Sequence, residues 1–322
     1  MTTELIINAK VNAIRDFVNN PRKHHGLFKN KALYLQMCSA LDVTSDTEEA
    51  ILAFKDTKFE KDRATLYLAV YGVLQAIYVQ QDAVVNLCNS LGIDENMKNY
   101  PRLSEIREIR NDSVGHPTKR HPKRKGGPTS YSFIAPQHLS TMEFDIVSMF
   151  SDGTSEQKHV SLPEIMRDQQ TYISSILNMV KDKLDREERE HKEKFRMEKL
   201  LEIFRSTPYF FEKLSQDIHG THPGFGAGSL ENIEEVITNF KEAVKRRDEA
   251  YYESLLDDYE LIEFAISRLH ELFQLLDWFE EEIKTAKIFT SFLQNEVTKL
   301  EKNAQEIDAD YAEISNDAKD AS

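Results

Sequence analysis

The sequence predicts a mainly α-helical protein, a helical bundle that carries a small β-hairpin insertion. Only 11 Gly and 9 Pro interrupt 322 residues, which favours long helices over many short strands and turns. Apolar residues recur at helical spacing along most of the chain. The composition, 40% hydrophobic and 30% charged, is that of a chain that buries a core. The length is sufficient for two domains.

The first predicted domain, residues 1–185, is a bundle around one apolar helix. Its predicted helices cover residues 3–19, 28–41, 45–54, 58–91 and 101–110. The sequence Ser45-Asp46-Thr47-Glu48 has the pattern of a capping box and predicts a helix start there. The middle of the 58–91 helix is apolar nearly all round, so we expect neighbouring helices to cover it on several sides.

A β insertion is predicted at about 129–162 within this bundle. Its strand candidates are residues 131–135, 143–150 and 158–162. The turn Ser151-Asp152-Gly153-Thr154 lies between the last two and is typical of a hairpin. We therefore expect a short antiparallel sheet in a helical domain.

The second half of the chain is predicted to be helical. A helix opened by Pro163 is expected to reach Phe204, and its charged segment, 186–205, is interpreted as a solvated helical connector. Residues 206–322 form the predicted C-terminal helical domain with a frayed acidic tail after Leu300. A coiled-coil-like seam is predicted there from the following apolar residues: Leu255, Tyr259, Ile262, Ile266, Leu269, Phe273 and Leu276. Ser229, after a Gly-rich loop, is expected to cap a helix.

Composition also limits the classes of function. The net charge of −14 argues against general coating of nucleic acid, although the loop 117–128 holds five Lys/Arg and no acid. Two cysteines cannot form a disulfide framework. The first residues lack the pattern of a secretory signal, and no apolar stretch approaches the roughly 20 residues of a membrane span. A cytoplasmic protein that does not enter the membrane is expected.

The segment Arg110-Asn111-Asp112-Ser113-Val114-Gly115-His116 is the strongest functional candidate. We expect a helix to end near Gly115, because Pro117 prevents its continuation. Arg110 is a permanent cation whose planar fork matches phosphate oxygens, and His116 can move protons near neutral pH. The alternative is that both residues simply cap the C-terminus of the helix, where positive side chains are favoured by the helix dipole.

This segment resembles the signature motif of the HEPN superfamily. In that motif four to six residues separate an arginine from a histidine, and the first of them is usually polar. The resemblance covers about residues 1–185, where a long apolar helix precedes the motif. It implies a HEPN-like bundle and a metal-independent endoribonuclease without cofactor, in a toxin or antiviral role. It further implies a homodimer with the motif at the interface. Thr118 departs from the tyrosine that some toxins of the family carry two residues after the histidine.

By this resemblance, RNA is cleaved when its 2′-hydroxyl attacks the adjacent phosphate. His116 is then the general acid or base, Arg110 stabilises the phosphorane, and Asn111 orients the phosphate or the histidine. RNA supplies its own nucleophile, so the chain needs no reactive Ser or Cys.

The neighbouring residues have two interpretations each. Five cations either contact the RNA backbone or belong to a solvated loop, namely Lys119, Arg120, Lys123, Arg124 and Lys125. Asp82 either supports Arg110 through an ion pair or is a polar residue at the bundle edge.

A second hypothesis for the whole chain is a non-catalytic helical adaptor. It dimerises through the first domain and binds a regulatory protein through the heptad helices.

Overall fold

The computed structural model describes residues 6–20, 30–59, 62–121, 127–220, 224–275 and 277–312. The predicted fold class is confirmed, because the described chain is mostly helical with one small antiparallel sheet. It forms two compact units that divide between Leu184 and Asp185. No helix among the described residues is long and apolar enough to cross a membrane.

Unit 1 is a helical bundle with the sheet inserted between its last two helices. Its elements are α1 (Ile6–Val18), α2 (Lys31–Asp56), α3 (Arg63–Ser90), α4 (Pro101–Arg110), β1 (Ser130–Ile134), β2 (Glu143–Phe150), β3 (Ser155–Ser161) and the first part of α5 (Leu162–Phe195). Helix α3 supplies many of its buried residues, including Val70, Leu74 and Ile77. The apolar helix is therefore covered on several sides, as predicted.

The predicted break at Ser45 is wrong, because α2 is continuous from Lys31 to Asp56. Ser45 lies inside this helix and is not its cap. The Thr47 hydroxyl donates to the carbonyl of Val43 at 2.6 Å, a bond within the helix. Glu48 is buried at 3% exposure. Asn30 caps the real start of α2, where its side chain accepts from the amides of Ala32 and Leu33.

The sheet has strand order β1-β2-β3 and both pairs are antiparallel. The predicted hairpin is confirmed, and Gly153 has φ +86°, a left-handed conformation that glycine adopts without steric cost. Strand β3 starts at Ser155, three residues before the predicted start. Its first residues are polar and exposed, so they give no alternating pattern.

Unit 2 is all helical in its described residues. Its elements are the end of α5, α6 (Thr207–Ile218), α7 (Gly226–Arg247), α8 (Glu249–Ser254), α9 (Leu256–Phe273) and α10 (Glu280–Ala312). Helix α5 ends at Phe195, so the helix predicted through Phe204 is nine residues too long. The Asp308 carboxylate accepts from the amides of Leu200 and Leu201 at 3.0 and 2.9 Å and supports the chain after that end.

The segment 186–205 is packed within unit 2 and is not a solvated connector there. Phe195, Leu200 and Phe204 are buried in the core of this unit. Lys192 is also buried, and it binds Glu188 at 3.0 Å. The charged sequence concealed this packing because its few apolar residues are widely spaced.

Two predictions about unit 2 are corrected by long-range contacts. Residues 301–312, predicted as a frayed tail, belong to α10, with Ile307 and Tyr311 buried. Helix α7 begins at Gly226, so Ser229 lies inside it and is not its cap. Asp217 of α6 accepts from the Gly226 amide at 2.6 Å instead. Residues 313–322 and Leu276 lie outside the described residues.

The seam residues of α9 are buried inside unit 2. These are Tyr259, Ile262, Ile266 and Leu269, and they face a core shared with α7 and α10. They are used for intramolecular packing, so a partner of this chain would have to contact other side chains.

Candidate functional site

The candidate motif begins at the end of α4 and passes through one π-helical turn, Asn111–Gly115. The His116 amide donates to the Asn111 carbonyl at 2.9 Å, which closes this wider turn. The helical segment ends at Gly115, as predicted, but its π geometry was not predicted. Single π turns inside or at the end of helices are frequent at functional sites.

The Arg110 guanidinium is held by neutral groups. Its Nε and Nη2 donate to Oε1 of Gln75 on α3 at 3.1 and 2.7 Å. Its Nη1 donates to Oδ1 of Asn111 at 3.1 Å. The guanidinium carbon also lies 4.3 Å from the centre of the Tyr78 ring. Position and orientation of this cation are therefore fixed without a carboxylate.

The neighbouring arginines are paired differently. Arg107, one turn earlier on α4, binds Asp82 at 2.7 Å and also lies over the Tyr78 ring. Among the described arginines from Arg102 to Arg120, Arg110 alone has no carboxylate partner. The hypothesis that Asp82 supports Arg110 is therefore wrong. The register of α4 against α3 places Asp82 beside Arg107 and Gln75 beside Arg110.

Gly115 permits the close approach of Arg110. A Cβ on Gly115 would overlap Nη1 of Arg110 and lie 3.2 Å from Oδ1 of Asn111. The glycine thus lets the guanidinium fold back over the π turn. Its role is steric, because its backbone φ is not in the left-handed region.

The His116 side chain is exposed and makes no hydrogen bond or ion pair with any described residue. Its backbone is fixed through the bond to Asn111. Arg110 and Asn111 are therefore joined directly, and the histidine is tied to them through the main chain. The imidazole itself remains accessible to a ligand or to another protein chain.

The predicted substrate-binding cations have different environments. Arg120 binds the carboxylates of Glu108 and Asp112, so its charge is engaged within the fold. Lys119 is exposed. Lys123, Arg124 and Lys125 lie outside the described residues. The contact of these five residues with RNA stays a prediction.

A groove of about 470 Å³ lies beside the motif, and acidic residues dominate its charge. It is lined by Glu105, Glu108, Asp112 and Glu156, with one base, Lys158. Lys158 is itself bound to Glu105 at 2.9 Å. Such a groove disfavours a polyanion, so among the described residues the basic character of the site depends on Arg110 and the exposed Lys119.

Two residues of this site were missed in the sequence, Gln75 and Tyr78. One available signal was the position of Gln75, a single amide within the apolar run Leu66–Val79. An isolated polar side chain in such a helix needs a hydrogen-bond partner. The sequence could not show that this partner is Arg110, 35 positions later.

No metal site accompanies the motif in the described residues, which contain no cluster of three or more His, Cys, Asp or Glu suited to hold an ion. Comparison with protein-family models, curated proteins and solved structures finds no match to this chain. The residues of the site are therefore the basis for inferring a function.

Proposed function

We propose that this protein is a metal-independent endoribonuclease of HEPN type, acting as a homodimer in a toxin or antiviral defence role. The observation that carries the proposal is the Arg110 guanidinium, which is partly buried, fixed in orientation and not neutralised by a carboxylate. A charge kept in this state is costly unless a ligand binds it. A phosphate is a suitable ligand, since its oxygens match the guanidinium fork.

The hydrogen bonds of Arg110 leave room for such a ligand. A guanidinium has five N–H donors, and three of them are directed at Gln75 and Asn111. The remaining two, on Nη1 and Nη2, are available for phosphate oxygens. Gln75 and Asn111 therefore act as positioning residues, which hold the cation but leave its charge for the substrate.

The proposed reaction uses groups that the site contains. His116 of one chain removes the proton of the RNA 2′-hydroxyl, and that oxygen attacks the adjacent phosphorus. Arg110 stabilises the charge of the phosphorane. The 5′-oxygen leaves and takes a proton from an imidazolium, which His116 of the second chain supplies. The products are a 2′,3′-cyclic phosphate end and a free 5′-hydroxyl.

The surface next to Arg110 supports a second copy as the partner. Leu68 and Tyr71 are 75% and 39% exposed on α3, and beyond its own helix backbone and chain neighbours no atom lies within 4 Å of the Cβ position of Gly72. These residues share the helix face of Gln75 and Tyr78. An apolar stripe next to the motif is suited to pack against the same stripe of another chain.

Cleavage of RNA in EDTA tests the catalytic proposal. We expect His116→Ala and Arg110→Ala to reduce the rate by about 10²–10⁴-fold, the usual contribution of positioned acid–base or charge-stabilising groups. Arg107→Ala is the matched control, since that arginine is one turn away and already neutralised by Asp82. Equal cleavage by wild type and His116→Ala, or equal losses in Arg107→Ala and Arg110→Ala, would contradict the proposal.

The dimer has its own test. Leu68→Glu places a charge on the apolar stripe and should lower both the dimer fraction, measured by sedimentation, and the cleavage rate. Met197→Glu is the control, because Met197 is 85% exposed in unit 2. A cleaving monomer would overturn the two-chain site while leaving RNA cleavage in place.

A second candidate is the non-catalytic adaptor, and an exposed apolar patch in unit 2 favours it. Leu261 and Phe264 of α9 are each 56% exposed, and Ile288 of α10 is 67% exposed. The ring centroids of Phe264 and Phe289 are 6.0 Å apart, so the patch spans both helices. A partner complex lost in Phe264→Glu but kept in His116→Ala, in a protein that cleaves no RNA, would favour this candidate.

A further inference from the structure

A cavity of about 470 Å³ lies in unit 1 between α2, α5 and the residues that precede β2. Its volume is in the range of small-molecule sites. Much of its wall is apolar and includes Ile51, Phe54, Met142 and Met166. None of the motif residues lines it, so it is distinct from the proposed ribonuclease site.

The polar part of the wall is a buried carboxyl group. Glu48 lines the cavity and is 3% exposed. Its Oε2 accepts from Gln80 at 3.2 Å, and its other oxygen has no hydrogen-bond donor among the described residues. Burial raises the pKa of this carboxyl, whereas the Gln80 bond and the charge of Lys55 lower it. The fold therefore holds an acceptor in an apolar wall without an ion-pair partner.

An amide network fixes this acceptor. Gln169 of α5 donates to Gln80 at 2.8 Å and accepts from Gln81 at 2.8 Å. Gln80, Gln81 and Gln169 are each at most 1% exposed. A buried network that orients one incompletely bonded carboxyl is a preorganised feature, and such features are common in binding sites.

Two cations lie among the lining residues. Lys55 is exposed on α2, and Arg167 of α5 has a side chain that is 70% exposed. Nε of Arg167 lies 3.8 Å from Asp168, a carboxylate that Arg102 binds more closely, at 2.7 Å. Lys55 follows Glu48 by seven residues, so the two are about 10 Å apart along the helix axis at 1.5 Å per residue. A ligand that reaches both needs hydrogen-bond donors at one end, a flat or apolar body and an anionic group at the other.

We propose that this cavity binds a purine nucleoside monophosphate, with the base edge at Glu48 and the phosphate at Lys55 and Arg167. Guanine fits best, because its N1–H and 2-amino groups are adjacent donors for a carboxylate. Phe54 provides an aromatic side chain against which a base can pack. Simple phosphate lacks the group for Glu48, and an α-amino acid has its two charged groups too close together to reach both ends.

Calorimetric titration of the full-length protein with GMP, AMP, guanosine and inorganic phosphate tests this assignment. We expect GMP to bind more tightly than AMP and inorganic phosphate to bind at least tenfold more weakly. Glu48→Gln should weaken GMP binding by at least tenfold. The control Glu49→Gln changes an exposed carboxylate next along α2 and should leave binding unchanged.

Several results would overturn the proposal. These are no heat and no thermal shift with GMP, equal binding of GMP and phosphate, or full GMP affinity in Glu48→Gln. Arg167→Ala should weaken GMP but not guanosine, and an equal loss for both would contradict the placement of the phosphate. Since the cavity and the motif share no residue, RNA cleavage by these variants separates this outcome from the proposed ribonuclease function.

Discussion

The two units keep basic side chains inside the protein for different purposes. In unit 2, Lys192 is buried and binds carboxylates of Glu188 and Asp310 at 3.0 and 2.8 Å. In unit 1, Arg110 is partly buried and binds the amide oxygens of Gln75 and Asn111. A carboxylate partner neutralises a cation, whereas an amide fixes its geometry and leaves its charge. The identity of the partners therefore separates a structural cation from one suited to bind an anion.

Arg247 in unit 2 extends this comparison. It is 5% exposed, and its guanidinium carbon lies 5.7 Å from the centre of the Phe195 ring and 5.4 Å from the centre of the Tyr311 ring. Burial lowers its pKa, and the carboxylate charges of Glu198 and Asp308 oppose that change. Arg110 also contacts an aromatic ring. Both arginines contact an aromatic ring, so the presence of carboxylates near Arg247 and their absence among the described partners of Arg110 distinguish the two sites.

The largest expected effect is on the stability of unit 2. Lys192→Ala should lower its free energy of unfolding by about 3 kcal/mol, because it removes a buried cation that binds the carboxylates of Glu188 and Asp310. Urea denaturation measures this change. Lys194→Ala, at an exposed position two residues later, should cost less than about 1 kcal/mol. Similar losses in both variants would show that burial of Lys192 does not govern its contribution.

The next largest effect is expected on the rate of RNA cleavage at the candidate site of unit 1. Gly115→Ala should displace the Arg110 guanidinium and reduce RNA cleavage by about 10–100-fold, since small misplacements of catalytic groups have effects of this size. The thermal midpoint should change little. Gly228→Ala, in α7, has open space at its Cβ and should leave cleavage unchanged. Full activity in Gly115→Ala would mean that the observed Arg110 position is not needed.

The smallest effect is expected on the pH dependence of thermal stability, through charged groups at the sheet. His159 Nδ1 lies 2.8 Å from Asp145 Oδ1, and His138 contacts the other oxygen. The bond to His159 lowers the pKa of Asp145, and the same bond raises the pKa of His159. The histidine contribution to stability is complete below its ordinary pKa and is lost as pH rises through the raised value. The aspartate contribution is complete above its ordinary pKa and is lost as pH falls through the lowered value.

The difference in thermal midpoint between wild type and Asp145→Asn should therefore be largest between about pH 4 and pH 6.5. It should shrink on both sides of this window. Glu156→Gln, an exposed change on β3, should show no such maximum. A difference that is constant with pH would exclude the ion pairs as its cause.

Much of the fold could be predicted because its signals are local. The apolar spacing of α3 and the Asp-Gly turn of the hairpin each depend on neighbouring residues. The errors arose where a distant residue replaced a local signal. Asp217 caps α7 from another helix, and burial of Glu48 beside Gln80 turns an apparent capping box into the middle of α2.

The sequence by itself determined the helical class, the position of the hairpin and the end of the motif helix near Gly115. It also placed Arg110, Asn111 and His116 within two turns of chain, because chain connectivity imposes that proximity. Only the tertiary structure decided that Gln75 and Tyr78 contact Arg110 while Asp82 neutralises Arg107. The physical reason is that the register between two packed helices selects the partner of each charge, and the spacing along either helix does not encode that register.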